Sequence, residues 1–306
     1  MAQNQTPTII GELMNHSYAR ARKAWQKRDI AGYQKLAKLQ TELGASYLTL
    51  NLDGTQTLNV AIEEMLNFLP ELVPALQEVT NLPISFDNPD VAFHKEALKH
   101  FDSAKSVAKP ILNSLAVSRD DLDEMIELVA QYETHVIVMV SECSTESGGM
   151  AATTTPEQAR DIACHFAERL SKEANVDTDR IILDPGLPPI TSDLKGLINL
   201  GLDIMKLVRA TSELDGVHIS VGLSNLAFGT PKEVRHEMER AYLAIALDAG
   251  LDWALANPEK NTTPLDLSDP MVAKLNDVLE QGRLQPGETE DIAGYRQLEA
   301  LMGIWK

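Results

Sequence analysis

The sequence predicts an α/β protein, a (β/α)8 TIM barrel that forms one domain over residues 1–306. Eight strand-like runs alternate with helical patterns, and neither a linker nor a low-complexity segment interrupts them. A chain of 306 residues with 44% hydrophobic composition can bury one large core. Several of the apolar runs also end on a single polar residue, as barrel strands do where they build a site.

The strands are predicted from short apolar runs that are rich in β-branched residues and bounded by turn formers. They cover residues 8–10, 47–52, 82–86, 110–113, 136–140, 180–183, 217–221 and 253–257. The barrel core is predicted to span residues 8–285, and residues 289–304 are predicted to form an extra C-terminal helix.

The helices are predicted from apolar residues at helical spacing and from capping residues at their first turns. They cover residues 18–27, 30–43, 58–79, 89–101, 155–174, 193–213, 230–247 and 269–282, with a further helix after Ser118. Expected N-terminal caps are Asp29, Ser118, Thr155, Thr230 and Asp269. Pro70 and Pro74 are expected to interrupt and kink the third of these helices.

The main alternative is a doubly wound open sheet. A Gly-rich dinucleotide loop is missing after the first strand, and the polar strand ends are spread along the whole chain instead of meeting at one crossover. Both observations favour the barrel. The loop at residues 141–154 is long and rich in Ser, Thr and Gly, so it is a candidate lid.

Charge and cysteine content restrict the partners and the compartment. A net charge of −18, from 45 acidic and 27 basic residues, argues against nucleic acid and against an anionic membrane. No apolar run reaches 18 residues and residues 1–8 are polar, so a cytoplasmic protein is expected. Cys143 and Cys164 lack CxxC spacing, which predicts free thiols and no zinc site.

Carboxylates, primary amides and one hydroxyl dominate the predicted strand ends, and histidine is absent from them. The candidate site residues are Glu12, Asn15, Asn51, Asp53, Asp87, Asn113, Asp184, Ser224, Asn225 and Asn257. The seven histidines are expected to be structural, and neither HExxH nor a His and Cys cluster predicts a metal. A serine-hydrolase elbow and a P-loop are also missing.

Such a side-chain set suits a flat heterocycle with hydrogen-bond donors and acceptors along its edges. An ionised carboxylate accepts two parallel N–H bonds, and a carboxamide offers one donor and one acceptor in a plane. A pterin has edges of this kind. For any single Asp or Asn, a turn or a helix cap is the simpler explanation, so the prediction depends on the whole set.

The order of these motifs resembles a known family, the methyltetrahydrofolate:corrinoid protein methyltransferases. These are relatives of the folate module of cobalamin-dependent methionine synthase and, more distantly, of dihydropteroate synthase. The resemblance covers about residues 8–260 and is carried by Gly11-Glu12-Leu13-Met14-Asn15, Leu50-Asn51-Leu52, Phe86-Asp87, Leu112-Asn113-Ser114, Leu183-Asp184-Pro185 and Gly222-Leu223-Ser224-Asn225. It implies a dihydropteroate synthase-like barrel.

The resemblance also implies residue roles. It maps the pterin-binding aspartates and asparagine of the family to Asp87, Asn113 and Asp184, and it maps its mobile asparagine, which contacts N5 of the folate, to Asn225. The predicted pterin site further includes Glu12, Asn51, Gly222 and Ser224. Asn225 is the predicted catalytic residue.

The implied activity moves a methyl group between N5 of methyltetrahydrofolate and the cobalt of a corrinoid (cobalamin) carried by a partner protein. Co(I) is the nucleophile, and Asn225 stabilises N5 in its protonated state. The resemblance further implies a homodimer without a metal of its own. Two alternatives stay open, namely a non-catalytic folate-binding protein and a dihydropteroate synthase-like transferase.

Overall fold

The computed structural model describes residues 6–145 and 149–305, and its centre is a sheet of eight parallel strands. In chain order these strands and two short hairpin strands are β1 Thr8–Asn15, β2 Tyr47–Asn51, β3 Ile84–Asp87, β4 Ile111–Leu115, β5 His135–Met139, β6 Glu142–Ser144, β7 Met150–Ala152, β8 Ile181–Asp184, β9 His218–Ile219 and β10 Trp253–Ala256. The strand order in the sheet is β10-β1-β2-β3-β4-β5-β8-β9.

The sheet closes into a barrel between β9 and β10. Leu255 N–H donates to the Val221 carbonyl oxygen at 3.0 Å, and Gly222 forms a bridge with Leu255. The strand β9 is shorter than the predicted 217–221. Ser220 N–H still donates to the Leu183 carbonyl oxygen of β8 at 2.9 Å, whereas Val221 bonds to β10. The predicted α/β barrel is confirmed.

Ten α-helices surround the barrel. They are α1 Ala19–Gln26, α2 Ile30–Glu42, α3 Ile62–Gln77, α4 Val91–Lys99, α5 Leu122–Tyr132, α6 Pro156–Ala174, α7 Leu197–Arg209, α8 Lys232–Asp248, α9 Pro270–Gln281 and α10 Glu290–Met302 within the described ranges. The helix predicted at 193–213 is shorter, and a separate 3-10 turn covers Ser212–Leu214. The extra C-terminal helix is confirmed as α10.

Three of the predicted caps are confirmed and two are wrong. The side chains of Asp29, Thr155 and Asp269 accept hydrogen bonds from the first turns of α2, α6 and α9. Ser118 precedes α5 by four residues, so Asp121 holds the N-cap position. The Thr230 hydroxyl donates to the Ala227 carbonyl oxygen at 2.7 Å, which removes it from the capping role.

The third predicted helix also differs from the prediction. It begins at Ile62 instead of residue 58, because Thr55 and Leu58 pair in a tight turn. The helix continues through Pro70 and Pro74, so the expected interruption is wrong. Each proline removes one backbone donor, whereas the buried face of the helix, including Leu69 and Leu72, keeps it packed on the barrel.

The segment at 141–154 was predicted as a loop but contains the antiparallel hairpin β6–β7. Thr153 fastens its end, since its N–H donates to the Ser141 carbonyl oxygen at 2.9 Å and its hydroxyl to the Val140 carbonyl oxygen at 2.8 Å. Residues 146–148 of the segment lie outside the described residues. A role as a lid stays a prediction.

Apolar side chains fill the amino-terminal half of the barrel interior. They are Ile10, Tyr47, Ile111, Ile137, Ile182 and Trp253. The rings of His135 and His218 pack against Trp253, with centroids 6.2 and 4.9 Å away. This layer closes the barrel from below, so a ligand can enter only from the carboxyl ends of the strands.

Two further observations bear on the expectations from composition. Cys143 and Cys164 are free thiols, as predicted. Among the residues that the structure describes, no helix is both long enough and apolar enough to cross a membrane.

Candidate active site

Every second residue of a strand faces the barrel interior, and these interior residues change from apolar to polar toward the mouth. A residue two positions after an interior residue lies on the same strand face. The interior isoleucines are therefore followed by polar groups at the barrel mouth, in the pairs Ile10 and Glu12, Ile111 and Asn113, and Ile182 and Asp184. The chemistry of the mouth thus follows from strand register.

Asp87 and Asn113 lie side by side at the mouth, because β3 and β4 pair in register at these residues. They line a cavity of about 550 Å³ together with Asn88, Ser114 and Arg119. The Asn113 amide makes no hydrogen bond within the described part of the chain. It is therefore free to bind a ligand in this cavity.

The carboxyl groups of Asp87 and Asp184 both have raised pKa values. Burial raises the pKa of Asp87 to about 6; an Asn51 hydrogen bond lowers that pKa, while the charges of Asp53 and Asp184 raise it further. Burial also raises the pKa of Asp184 to about 6, although the Gly186 N–H donates to its Oδ1 at 2.7 Å. Each carboxylate would gain from further N–H donors.

Asn51 is held by contacts with Asp53 in the turn that follows β2. The Asp53 N–H donates to the Asn51 side-chain oxygen at 3.0 Å, and the Asn88 amide in turn donates to Asp53. The β2 and β3 ends are therefore joined by a row of polar contacts. Asn51 lowers the pKa of Asp87, and its predicted contact with a pterin stays a prediction.

Asn225 belongs to a 3-10 turn, Leu223–Asn225, that follows β9. Its side chain is exposed and forms no hydrogen bond to any residue that the structure describes. A Cβ on Gly222 would lie 2.9 Å from the Asn225 Nδ2 atom, so glycine leaves room for this amide. The predicted ligand contacts of Gly222 and Asn225 stay predictions.

Glu12 lies apart from the Asp87 and Asn113 cavity and is only 7% exposed. The hydroxyl groups of Tyr18 and Ser224 both donate to its Oε1 atom. Ser224 therefore links the end of β1 to the turn that carries Asn225. The structure assigns both side chains to a protein network, and their predicted pterin contact stays a prediction.

The network extends behind Ser224 through residues that the sequence reasoning missed. The Asn261 Nδ2 atom is 3.4 Å from the Ser224 hydroxyl and 2.9 Å from Glu239 Oε2, and His236 Nδ1 lies 3.0 Å from the same oxygen. Glu239 is 1% exposed on α8. A signal was present in the sequence, since Glu239 shares the buried helical face with Tyr242 and Ala246.

Two other candidates, Asn15 and Asn257, have structural roles, and so does the neighbouring His16. Asn15 accepts the Ser17 N–H at 2.7 Å and Asn257 accepts the Glu259 N–H at 3.0 Å, so both close turns. His16 bridges the Asp53 carbonyl oxygen and the Tyr33 hydroxyl at 3.0 and 2.9 Å. Burial lowers the pKa of His16 to about 4, which keeps the ring neutral.

Arg119 is a cavity residue that the sequence reasoning did not select. Its Nε donates to Asp121 Oδ1 at 2.8 Å, and its Nη2 donates to the Pro89 carbonyl oxygen at 2.8 Å. These bonds hold the guanidinium at the rim of the cavity. No sequence motif marks this residue, because its position depends on the β3 and β4 loops meeting in space.

The described residues offer no set of ligands for a metal ion. Over residues 6–145 and 149–305, no group of three or more His, Cys, Asp and Glu side chains is placed to hold a metal ion. The mouth offers two carboxyl groups with raised pKa values and two amides that bond to no described residue, which fits recognition of a neutral, donor-rich ring.

Two curated relatives are similar to this chain along most of its length. A methylcorrinoid:tetrahydrofolate methyltransferase of Eubacterium limosum is 25% identical over 287 residues, which cover 91% of this chain and 98% of that protein. A methionine synthase of Mycobacterium leprae is 25% identical over 319 residues, covering all of this chain and 24% of the relative.

Solved structures of dihydropteroate synthases share the fold. The Yersinia pestis enzyme in a sulfonamide complex has a TM-score of 0.56 at 15% identity, with 91% of this chain and 94% of that chain covered. The Xanthomonas albilineans enzyme with 7,8-dihydropteroate has a TM-score of 0.55 at 18% identity, with 85% and 91% covered. The family of pterin-binding enzymes matches residues 11–257, and this chain therefore belongs to the pterin-binding enzymes.

Proposed function

We propose that this protein is a methyltransferase that moves a methyl group between N5 of a reduced folate and the cobalt of a corrinoid protein. One observation carries the proposal. Asp87, Asn113 and Asp184 lie at one barrel mouth, and the Asn225 amide, which bonds to no described residue, lies in the turn after β9. The methyltransferase name of the Eubacterium limosum relative supports this activity.

The polar groups of the mouth complement the edges of a pterin. A carboxylate at Asp87 or Asp184 accepts the paired N–H groups of the amidine-like edge, and the Asn113 amide meets a neighbouring donor and acceptor. Both carboxyls have a pKa near 6 through burial, so they are mostly charged at neutral pH and gain from these donors. The folate is a substrate, and the corrinoid is carried by the partner.

The reaction needs assistance at N5. When the methyl group leaves, the nitrogen keeps the electron pair of the broken bond, and without a proton it would depart as an unstable amide anion. An amide at Asn225 can donate to or accept from N5 as its protonation changes. A contact that is stronger in the transition state than in the bound substrate lowers the barrier.

The partner must reach a methyl group held at the mouth. The carboxyl face of the barrel is the open end, and the β6–β7 hairpin stands at its edge after β5. We propose that the corrinoid protein docks on this face and contacts the hairpin. A homodimer and a cytoplasmic location stay predictions.

The direct experiment mixes the protein with methyltetrahydrofolate and Co(I) cobalamin without oxygen and follows the Co(I) absorbance. Loss of that absorbance only when both protein and folate are present is the expected result. Asp87→Asn should weaken the reaction, whereas Asp277→Asn, which changes an exposed carboxylate on α9, should not.

The outcomes separate the alternatives. Folate binding without consumption of Co(I) would identify a non-catalytic folate-binding protein. Turnover of a pterin substrate in the absence of any corrinoid would identify a dihydropteroate synthase-like transferase. No binding of reduced folate would refute the proposal altogether.

A further inference from the structure

Glu12 is a buried carboxyl group that does not line the cavity of Asp87 and Asn113. It is 7% exposed, and both of its hydrogen-bond donors, Tyr18 and Ser224, contact the same oxygen. It forms no ion pair with any residue in the described part of the chain. Burial without a neighbouring cation favours the protonated form of a carboxyl group over the carboxylate.

Burial and the charge of Glu239 favour the protonated form of Glu12, whereas its two hydrogen bonds oppose it. Burial raises the pKa of Glu12 to about 7, the Ser224 and Tyr18 hydrogen bonds lower it, and the charge of Glu239 raises it. Behind Glu239 lie His236, at 3.0 Å, and Arg235, and both lower the pKa of Glu239, which burial raises. Glu12 is therefore a group that can gain and lose a proton near neutral pH.

The proposed reaction exchanges one proton per turnover at N5. Transfer of the methyl group to cobalt from the protonated tertiary amine breaks the N5–CH3 bond and leaves a neutral N5–H, so one proton must enter. Methylation of the folate runs the same balance backwards and releases one proton. An amide such as Asn225 can orient N5 but is a poor source of that proton.

We propose that Glu12 holds the proton exchanged with N5 and that the Ser224 hydroxyl passes it. This inference rests on the proposed methyl transfer. When Glu12 is charged, Ser224 donates its hydrogen to Oε1, as the structure records. When Glu12 is protonated, its O–H donates to the Ser224 oxygen, and the Ser224 hydrogen is then free to point toward the mouth beside Asn225.

The neighbours of this pair act by position. The Asn261 amide reaches Ser224 and Glu239 at 3.4 and 2.9 Å, and it fixes both without carrying a proton itself. Tyr18 also donates to Glu12 Oε1 and holds the carboxyl in place. Glu239 is a positioning residue whose charge adjusts the acidity of Glu12.

The test measures single-turnover methyl transfer against pH, in both directions, with free cobalamin. In the wild type the demethylation rate should fall as the pH rises through about 7, because Glu12 loses its proton, and the methylation rate should fall as the pH drops. In Glu12→Gln, the rate of methyl transfer to cobalt at pH 6 should fall about 100-fold, which is within the range for general acid catalysis. The ionisation near pH 7 should disappear from the pH profile. Folate affinity should stay within about twofold.

The serine gives a matched pair of variants. Ser224→Ala removes the relay and should lower the rate about 100-fold, whereas Ser224→Thr keeps a hydroxyl and should recover most of that loss. This pair decides the question if Glu12→Gln fails to fold. Glu239→Gln should shift the ionisation to lower pH without abolishing it, since it removes a nearby negative charge.

The failures can be told apart. A wild-type protein that binds folate and transfers methyl groups, with a Glu12→Gln variant that keeps the same rate and ionisation, overturns the proton role alone. Equal rates in Ser224→Ala and Ser224→Thr overturn the relay. A wild-type protein without methyl transfer refutes the proposed function, and the role of Glu12 with it.

Discussion

Replacing Asn225 by alanine separates catalysis from folding and from binding. The side chain is exposed and bonds to no described residue, so its removal opens no cavity and leaves no buried partner unpaired. The free energy of unfolding should therefore change by less than about 0.5 kcal/mol. A large effect of the substitution on methyl transfer must therefore arise where the amide meets the folate.

The expected kinetic effect follows from the contact at N5. Loss of one hydrogen bond that strengthens in the transition state costs about 2–4 kcal/mol of barrier, or roughly 30- to 1000-fold in rate. Folate affinity should fall by much less than this, because the contact is weaker in the bound substrate.

The assay combines single-turnover methyl transfer at saturating folate with a folate dissociation constant from calorimetry. Glu233→Ala is the matched control, since it removes an exposed polar side chain from the first turn of α8. If the rate at saturation is unchanged and only the dissociation constant rises, Asn225 binds the folate and the reasoning about N5 is wrong.

Three other changes test the site, its partner and the core. Asp184→Ala should weaken folate binding by about 1.5–3 kcal/mol in calorimetry, the range for a hydrogen bond to a charged group, and unchanged affinity would remove Asp184 from the site. Shortening the hairpin between residues 144 and 152 should slow transfer with a corrinoid protein but not with free cobalamin; equal effects on both would indicate a folate lid. Burial lowers the pKa of His94 to about 4. The stability that neutral His94 provides is therefore complete above pH 6.5 and is lost as the pH falls from 6.5 toward 4. Urea unfolding should show this loss in the wild type and not in His94→Gln.

Much of the fold could be predicted because its signals are local. Apolar runs marked all eight barrel strands, although β1 continues to Asn15, five residues past its predicted end. The caps at Asp29, Thr155 and Asp269 follow from chemistry within one turn of each helix. The caps at Ser118 and Thr230 were wrong, since the hydrogen bonds and loop path that displaced them depend on neighbouring backbone.

The site was predictable only in part, for the same reason. Asp87, Asn113 and Asp184 end their strands, and parallel strands bring their ends together in any barrel. Arg119, Asn261 and Glu239 could not be placed in this way, because Arg119 reaches the cavity from a loop and the other two lie behind Ser224 on a loop and a surrounding helix.

By itself, then, the sequence determined the barrel and the polar ring at its mouth, because strand period and strand order are properties of neighbouring residues. Only the tertiary structure decided what each polar group faces. Glu12 and Ser224 are 212 residues apart and meet through their side chains because β9 and β10 close the barrel beside β1. Burial at that junction raises the pKa of Glu12 to about 7, and no local pattern encodes burial across a closed sheet.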